Sequence, residues 1–164
     1  MSSLRLSRQG LWFLGRCFPC SIGRGGIRAD KREGDGATPS GTHRIVGMMY
    51  RADRLPAPQS WAEPILPGDL WSDDAMDPQY NTLVRAPYLG SHEKMRRADP
   101  LYDIVLITDY NFPEAVPGKG SAIFLHQQRR AGYPTEGCIA LRRDHLIWIA
   151  QRIDFGAELI VPVV

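Results

Sequence analysis

Residues 121–146 read SAIFLHQQRRAGYPTEGCIALRRDHL, and this stretch is the most informative part of the sequence. Its first six residues form an apolar run that predicts a buried strand ending at His126. A polar loop follows, and Cys138 stands twelve positions after the histidine, directly behind Gly137. The loop is long enough for the chain to leave a sheet and return beside it, so we expect His126 and Cys138 to be neighbours.

Further strands are predicted on both sides of this stretch. Residues 43–50 look like a strand, and residues 103–108 form a short run rich in β-branched residues, which is typical of a buried strand. Residues 4–22 predict one or two short strands. Residues 158–164 predict a final strand, and Pro162 indicates that it lies at a sheet edge, because proline has no N–H to donate to a neighbouring strand.

One helix is predicted directly after the cysteine segment. Asp144 can cap its N-terminus, and Gly156 is expected to end it. Four apolar residues follow the helical spacing i, i+3, i+4 and i+7 and form a single stripe: Leu146, Ile149, Ala150 and Ile153.

The composition limits the fold class. The chain of 164 residues contains 16 Gly and 13 Pro, a larger share than the roughly 12% of average usage. Each Gly or Pro inside a helix costs roughly 1 to 3 kcal/mol relative to Ala, so coiled coils and helical bundles are excluded. The glycine-rich residues 23–42 predict an ordered loop or a linker, and the proline- and aromatic-containing residues 51–100 predict an irregular but packed segment. We therefore expect one mainly β domain over residues 1–164, with long loops and one or two helices.

Charge and hydropathy exclude several classes of function. The formal net charge is +2, too small for the clustered basic surface that binds nucleic acid. No apolar run approaches the roughly 18 residues of a transmembrane segment. The N-terminus lacks the apolar stretch of an export signal, and three cysteines are an odd number for a disulfide framework, which together favour a cytoplasmic, reducing compartment. Three basic pairs are interpreted as solvated faces: Arg96-Arg97, Arg129-Arg130 and Arg142-Arg143.

The residue types around Cys138 fit acyl transfer. A thiol attacks a carbonyl as the thiolate, and the His126 imidazole could take its proton and lower the pKa of the thiol. Gly137 leaves the backbone uncrowded, so that N–H groups of Gly137 and Cys138 could stabilise a developing oxyanion. The alternative is that Cys138 is a small buried apolar residue and His126 an ordinary histidine at a strand end.

Two motifs together resemble a known family. The strand ending in His126, followed by Thr135, Gly137, Cys138 and Ile139, is similar to the YkuD-type L,D-transpeptidase catalytic domain, whose pattern is a His-Gly element followed by S-x-G-C-[IV]-R. Upstream, residues 31–42 read KREGDGATPSGT and resemble the K-x-G-D-x-x-T-P-x-G segment of that family. The resemblance extends from about residue 23 to residue 146 and leaves the proline-rich middle segment unmatched.

This resemblance implies a β-sandwich-like domain of a bacterial enzyme in cell wall biogenesis. It implies Cys138 as nucleophile, His126 as its base and an oxyanion hole at Gly137 and Cys138, with no metal and no other cofactor. The partner would be a peptidoglycan stem peptide or muropeptide, held in part by Thr135 and Arg142. Family members attack the carbonyl after the third residue of a stem tetrapeptide, expel the terminal D-residue and pass the acyl group to an amine or to water. Such activity implies the periplasm or cell envelope, in contrast to the cytoplasm that the missing export signal favours.

The sequence departs from the family pattern at three positions. Gln127 replaces the glycine after the histidine, Glu136 stands where a histidine is frequent, and Ala140 stands where an arginine commonly follows Cys-Ile. Arg142 or Arg143 could reach the space of that missing arginine. Because an alanine there resembles the branch with hydrolytic members, an L,D-carboxypeptidase or peptidoglycan-linkage hydrolase is the alternative to a transpeptidase.

A non-catalytic module is the third possibility. Cys17 and Cys20 have C-x-x-C spacing, and together with Cys138 and His126 they would form the ligand set of a structural zinc site. In that case the protein would be a zinc-stapled or wall-binding module with an unreactive Cys138.

Overall fold

The protein is built mainly from short strands around one helix, as a computed structural model of the chain describes for residues 2–163. The helix of this described range, α1, spans Arg143–Ala150. The strands are β1 Leu4–Ser7, β2 Gly10–Phe13, β3 Arg16–Phe18, β4 Cys20–Ser21, β5 Ile27–Arg28, β6 Thr38–Pro39, β7 Gly41–Tyr50, β8 Glu63–Pro64, β9 Asp69–Ser72, β10 Leu83–Arg85, β11 His92–Lys94, β12 Ile104–Thr108, β13 Phe124–Gln127, β14 Ile139–Leu141 and β15 Glu158–Val161. The predicted mainly β, sandwich-like class is confirmed.

Most strands belong to one ten-stranded sheet. Its order is β3-β2-β1-β15-β7-β12-β13-β14-β4, and β8 pairs with β7 beside this path. The strands β13 and β14 run parallel, with Leu125 opposite Ile139 and His126 opposite Ala140. A parallel pair needs a crossover connection, and the loop and turn between residues 127 and 139 provide it here. This register fixes the position of the residues before β14 relative to the histidine.

The two faces of this sheet bury different cores. On one face, Leu125, Ile139 and Leu141 pack with the helix residues Leu146 and Ile149. On the other face, Phe124 and Cys138 pack with a second group of side chains from residues 49–107. Successive side chains of a strand point to opposite faces, so Phe124, His126, Cys138 and Ala140 share the second face.

The segment of residues 51–100 covers the second face. As predicted, it is irregular but packed, and it contains a three-stranded antiparallel sheet with the order β10-β9-β11. Trp71 of β9 is 1% exposed and meets Phe124 edge-on, with ring centroids 4.9 Å apart. The prolines and turns of this segment thus hold a small second layer against the strands that carry the cysteine and histidine.

Three strand predictions need correction. Residues 4–22 contain four short strands, β1 to β4, where one or two were expected, because tight turns divide the segment. The strand before His126 begins at Phe124 and not at residue 121, since Ala122 has a positive φ of 54°, which is incompatible with an extended strand. The last strand ends at Val161 and lies inside the sheet, between β1 and β7. Pro162 follows the strand, so its missing N–H removes no ladder hydrogen bond and the predicted edge position was wrong. Val164 lies outside the described residues.

The predicted helix exists, but its ends differ. Arg142 occupies the N-cap position without a side-chain cap, and Asp144 lies in the first turn, where its carboxylate binds Arg142. The helix ends at Ala150, and Gly156 belongs to the following turn. Leu146, Ile149 and Ala150 are buried as the stripe predicts.

Candidate active site

Cys138 and His126 line the same cavity. The parallel register places Ala140 opposite His126, so Cys138 lies two residues earlier on the adjacent chain segment and on the same face. The cavity has a volume of about 270 Å³, and both side chains contribute to its wall although they are only 9% and 7% exposed. The fold therefore brings together the two residues that the sequence predicted to be neighbours.

The Cys138 thiol is held by the backbone of the segment before β13. Its Sγ donates to the Ala122 carbonyl at 3.1 Å and accepts from the Phe124 N–H at 3.3 Å. Burial raises the pKa of the thiol to about 12. The expectation of a lowered thiol pKa is wrong, because loss of water around the sulfur outweighs the favourable contacts.

The His126 ring is fixed in one orientation. Its Nδ1 lies 2.7 Å from the carbonyl oxygen of Gln127, and the ring meets Tyr102 edge-on with centroids 5.4 Å apart. A carbonyl oxygen only accepts, so Nδ1 carries the hydrogen and Nε2 of the neutral ring is left as a proton acceptor. Burial lowers the pKa of His126 to about 4. The resting pair is therefore a neutral thiol and a neutral imidazole.

The turn before Cys138 is shaped by a threonine. Thr135 Oγ1 donates to the Cys138 carbonyl at 2.6 Å and accepts from the Gly137 N–H at 3.0 Å. Gly137 has a φ of +140°, and a Cβ there would lie 2.7 Å from the Ala37 oxygen, so only glycine fits. The Gly137 N–H thus already has an acceptor within the turn, and its oxyanion role stays a prediction. Among the hydrogen bonds of residues 2–163 outside helices and strands, none uses the Cys138 N–H.

The glycine-rich loop of residues 23–42 is ordered and forms part of the cavity wall. Thr38 Oγ1 donates to the Gly137 carbonyl at 2.8 Å, and the Arg24 N–H donates to the Thr135 carbonyl at 2.8 Å. Gly23 allows this contact, since a Cβ on it would approach the Gly36 oxygen to 2.2 Å. The second motif of the sequence thus supports the cysteine turn.

Charged side chains surround the cavity. Arg24 pairs with Glu136 at 2.5 Å, and Arg97 makes a bidentate pair with Asp99 at 2.9 and 2.7 Å. Glu93 accepts from the Tyr102 hydroxyl at 2.6 Å, and burial raises the pKa of both groups. Three of these cavity residues were not identified from the sequence: Glu93, Arg97 and Tyr102. All three lie in or directly after the segment for which no motif gave a match.

Two predicted substrate-binding residues have other contacts. Thr135 lines the cavity, but its hydroxyl is used within the turn. Arg142 is not among the cavity-lining residues, and its guanidinium is bound by Asp144 at 2.5 and 2.6 Å. Arg143 donates to Asp103 at 2.7 Å and to Gln127 Oε1 at 3.1 Å. Neither arginine after Ala140 reaches the space expected of it.

Asn81 supports the site from behind, and sequence reasoning missed it. It is 1% exposed and has a φ of 58°. Its Oδ1 accepts from the Trp71 indole and from the Ala122 N–H, both at 2.9 Å. Ala122 in turn accepts from the Cys138 thiol, so Asn81 fixes the strained residue that holds the sulfur. Only its ability to adopt a left-handed conformation could have marked it in the sequence.

The residues of the predicted zinc site do not lie together, because they are on opposite faces of the sheet. Cys20 lies opposite Leu141 in the pairing of β4 with β14, and its side chain packs with the first core. Cys138 and His126 belong to the other face of the same sheet. Within the part of the chain that the structure describes, no three His, Cys, Asp or Glu side chains are grouped to hold a metal ion. In that same range no helix is both long and apolar enough to span a bilayer.

Comparison with known proteins identifies the family. The sequence model of the YkuD family, described as the L,D-transpeptidase catalytic domain, matches residues 8–164. The chain therefore belongs to this family of enzymes, whose members act on peptidoglycan. The match includes the proline-rich middle segment, which lay outside the recognised motifs. No curated protein matches the chain.

The chain is also similar to solved structures. One of them is an L,D-transpeptidase from Mycobacterium smegmatis, with 14% sequence identity and a TM-score of 0.45. The similarity covers 99% of this chain and 59% of that one. The chain thus spans somewhat more than half the length of that protein.

Proposed function

We propose that the protein is a cysteine acyl-transfer enzyme that acts on peptidoglycan stem peptides as an L,D-transpeptidase. The observation that carries this proposal is the shared cavity of Cys138 and His126, in which Gln127 fixes the histidine with Nε2 as the free acceptor. Membership of the YkuD family supplies the substrate class. No metal or other cofactor is required by this chemistry.

In the first half of the reaction, the attack by sulfur and the transfer of the thiol proton occur together. The Cys138 sulfur attacks the carbonyl carbon that follows the third residue of the stem peptide, while His126 Nε2 takes the thiol proton. The Cys138 N–H is the donor available for the oxyanion. The intermediate then collapses, the C–N bond breaks, and the imidazolium returns its proton to the leaving amine. The products are a thioester on Cys138 and the free terminal D-residue.

In the second half, an acceptor releases the acyl group. An amine attacks the thioester carbon, neutral His126 takes one proton from it, and the thiolate leaves and is reprotonated by the imidazolium. The result is a new amide bond and the original thiol. With water as acceptor the same steps give a carboxylic acid, which is the carboxypeptidase or hydrolase alternative.

The direct test replaces the nucleophile. Cys138→Ala should abolish turnover of a stem tetrapeptide. Peptide mass spectrometry should show that a thiol-directed acylating inhibitor modifies residue 138 only in the wild type, a site-resolved readout that is needed because Cys17 and Cys20 are also free thiols. Cys20→Ala is the matched control, because it removes a half-buried cysteine from the opposite face of the same sheet. Turnover that survives in Cys138→Ala would contradict the proposal.

The acceptor is tested by product analysis. Wild-type protein is incubated with the tetrapeptide in the presence and absence of an amine acceptor. Crosslinked or exchanged product is expected with the amine. Tripeptide as the sole product under both conditions would replace transfer by hydrolysis and leave the acyl-enzyme intact.

A further inference from the structure

The chemistry of the leaving residue places a negative charge beside His126. In the acyl step, the amide nitrogen that breaks away must lie next to the histidine that protonates it. That nitrogen and the α-carboxylate of a terminal residue are bonded to the same carbon atom. In this pose the carboxylate of the expelled residue lies a few ångströms from His126, where a cation would stabilise it.

Most basic residues around the cavity already have partners. Arg24 is paired with Glu136. Arg97 donates to the Asp99 carboxylate through Nε and Nη2, and its guanidinium lies 5.3 Å from the centre of the Tyr102 ring. Arg142 and Arg143 bind Asp144 and Asp103 outside the cavity. Ala140, which faces the cavity opposite His126, provides no charge.

Arg129 differs from all of these residues. It lines the cavity three residues after His126, in the loop that leaves β13. Across residues 2–163, no carboxylate oxygen lies within 4 Å of its guanidinium. Burial is the main reason for the low pKa of His126, and the charges of Arg97 and, less strongly, Arg129 also oppose protonation of the ring. The neighbouring Arg130 is not in the cavity and instead lies over the Tyr133 ring at 4.6 Å.

We propose that Arg129 binds the α-carboxylate of the residue that is expelled from the stem peptide. This inference rests on the proposed acyl transfer and adds a specificity determinant to it. A guanidinium binds a carboxylate through two parallel hydrogen bonds, so Arg129 would select peptides with a free C-terminus by strengthening their binding. The basic pair 129–130 is then not simply a solvated face.

The test compares two substrates and three variants. The substrates are a stem tetrapeptide with a free terminal carboxylate and the same peptide with a C-terminal amide. The variants are Arg129→Ala, Arg129→Lys and, as a matched control, Arg130→Ala, which removes the same charge one residue away. Circular dichroism and thermal melting establish that each variant is folded.

Arg129→Ala should raise KM for the free acid about 10- to 100-fold, since a charge-assisted pair is worth roughly 1.5 to 3 kcal/mol. It should leave kcat within a few-fold and barely change kinetics with the amide. Arg129→Lys should recover part of the loss, and Arg130→Ala should resemble wild type. Equal losses in Arg129→Ala and Arg130→Ala, or equal use of both substrates by wild type, would overturn the inference.

A binding measurement separates this inference from the proposed function. In the Cys138→Ala background, calorimetry should detect weaker binding of the free-acid peptide when Arg129 is also replaced by alanine. Unchanged binding would refute the role of Arg129 even if wild type turns the peptide over. Absence of wild-type turnover together with Arg129-dependent binding would instead refute the acyl transfer.

Discussion

At the scale of single residues, burial keeps the Cys138 thiol and the His126 imidazole uncharged. Burial raises the pKa of the Cys138 thiol to about 12 and lowers that of His126 to about 4. Between these values the neutral pair dominates, because a buried thiolate and imidazolium would both lose hydration. Reactivity is therefore expected only when a substrate carbonyl and its oxyanion donor complete the site.

The first prediction concerns the reactivity of the free thiol. At pH 8, alkylation of Cys138 by iodoacetamide should be at least about a hundredfold slower in the folded protein than in urea, because an unperturbed thiol has a pKa near 8.5. Peptide mass spectrometry measures the two rates. Rapid alkylation of the native protein that titrates below pH 8 would indicate a resting thiolate and contradict the neutral pair.

The second prediction concerns stability against pH. Unfolding raises the pKa of His126 from about 4 towards its ordinary value near 6.5, so the unfolded chain binds a proton that the folded chain does not. The contribution of this histidine is fully present above pH 6.5, is lost as the pH falls towards 4, and amounts to about 3 kcal/mol. Urea unfolding at a series of pH values measures it. The His126→Gln variant should lack this part of the slope, and an identical slope in both proteins would contradict the prediction.

At the scale of elements, the site depends on the turn of residues 135–138 and on the loop packed against it. The turn packs closely against the loop because Gly137 has no Cβ. Thr38 Oγ1 also donates a hydrogen bond to the Gly137 carbonyl. The geometry of the turn places the Cys138 side chain on the same face of the sheet as His126. The cysteine is thus positioned by tertiary contacts made by residues about one hundred positions earlier in the chain.

The third prediction tests this close contact. Gly137→Ala adds a Cβ 2.7 Å from the Ala37 oxygen in a backbone conformation that L residues rarely adopt. It should lower the free energy of unfolding by about 2 to 4 kcal/mol and reduce activity at least tenfold. Gly41→Ala is the control, because Gly41 has a positive φ of 119° but the nearest atom to an added Cβ, on the His43 ring, is 3.6 Å away, an ordinary van der Waals distance. Equal destabilisation of the two variants would show that φ alone matters.

At the scale of the whole molecule, Glu33 joins three separate parts of the chain. Its carboxylate accepts from the Tyr80 hydroxyl at 2.8 Å and from Ser121 Oγ at 2.9 Å. Tyr80 belongs to the segment that covers the sheet, and Ser121 precedes the strand of His126. The glycine-rich loop is thereby tied both to the covering layer and to the strand that carries the histidine.

The fourth prediction removes this connection. Glu33→Ala should lower the free energy of unfolding by about 1 to 3 kcal/mol, because two polar groups lose their shared acceptor. Arg32→Ala, at the exposed neighbouring position, should change it by less than about 0.5 kcal/mol. Chemical denaturation compares the two variants. Similar effects would mean that Glu33 contributes no more than a surface residue.

The sequence predicted those elements whose signal is local. The helix over Leu146, Ile149 and Ala150 and the strands around residues 43–50 and 103–108 follow from apolar spacing alone, and the structure confirms them. The edge position inferred from Pro162 failed, since pairing with β1 and β7 depends on residues far away in sequence. Proline restricts only its own position, and the strand ends one residue before it.

The same division holds for the site. By itself the sequence predicted the family, the mainly β class and the closeness of Cys138 to His126, because these depend on residue types at a fixed spacing. Only the tertiary structure decided the protonation of that pair, the support by Asn81 and Glu33, and which arginine lines the cavity. Burial and hydrogen bonding arise from segments that are distant in sequence. Two adjacent arginines such as Arg129 and Arg130 cannot be distinguished in the sequence, whereas in the fold only Arg129 lines the cavity together with His126.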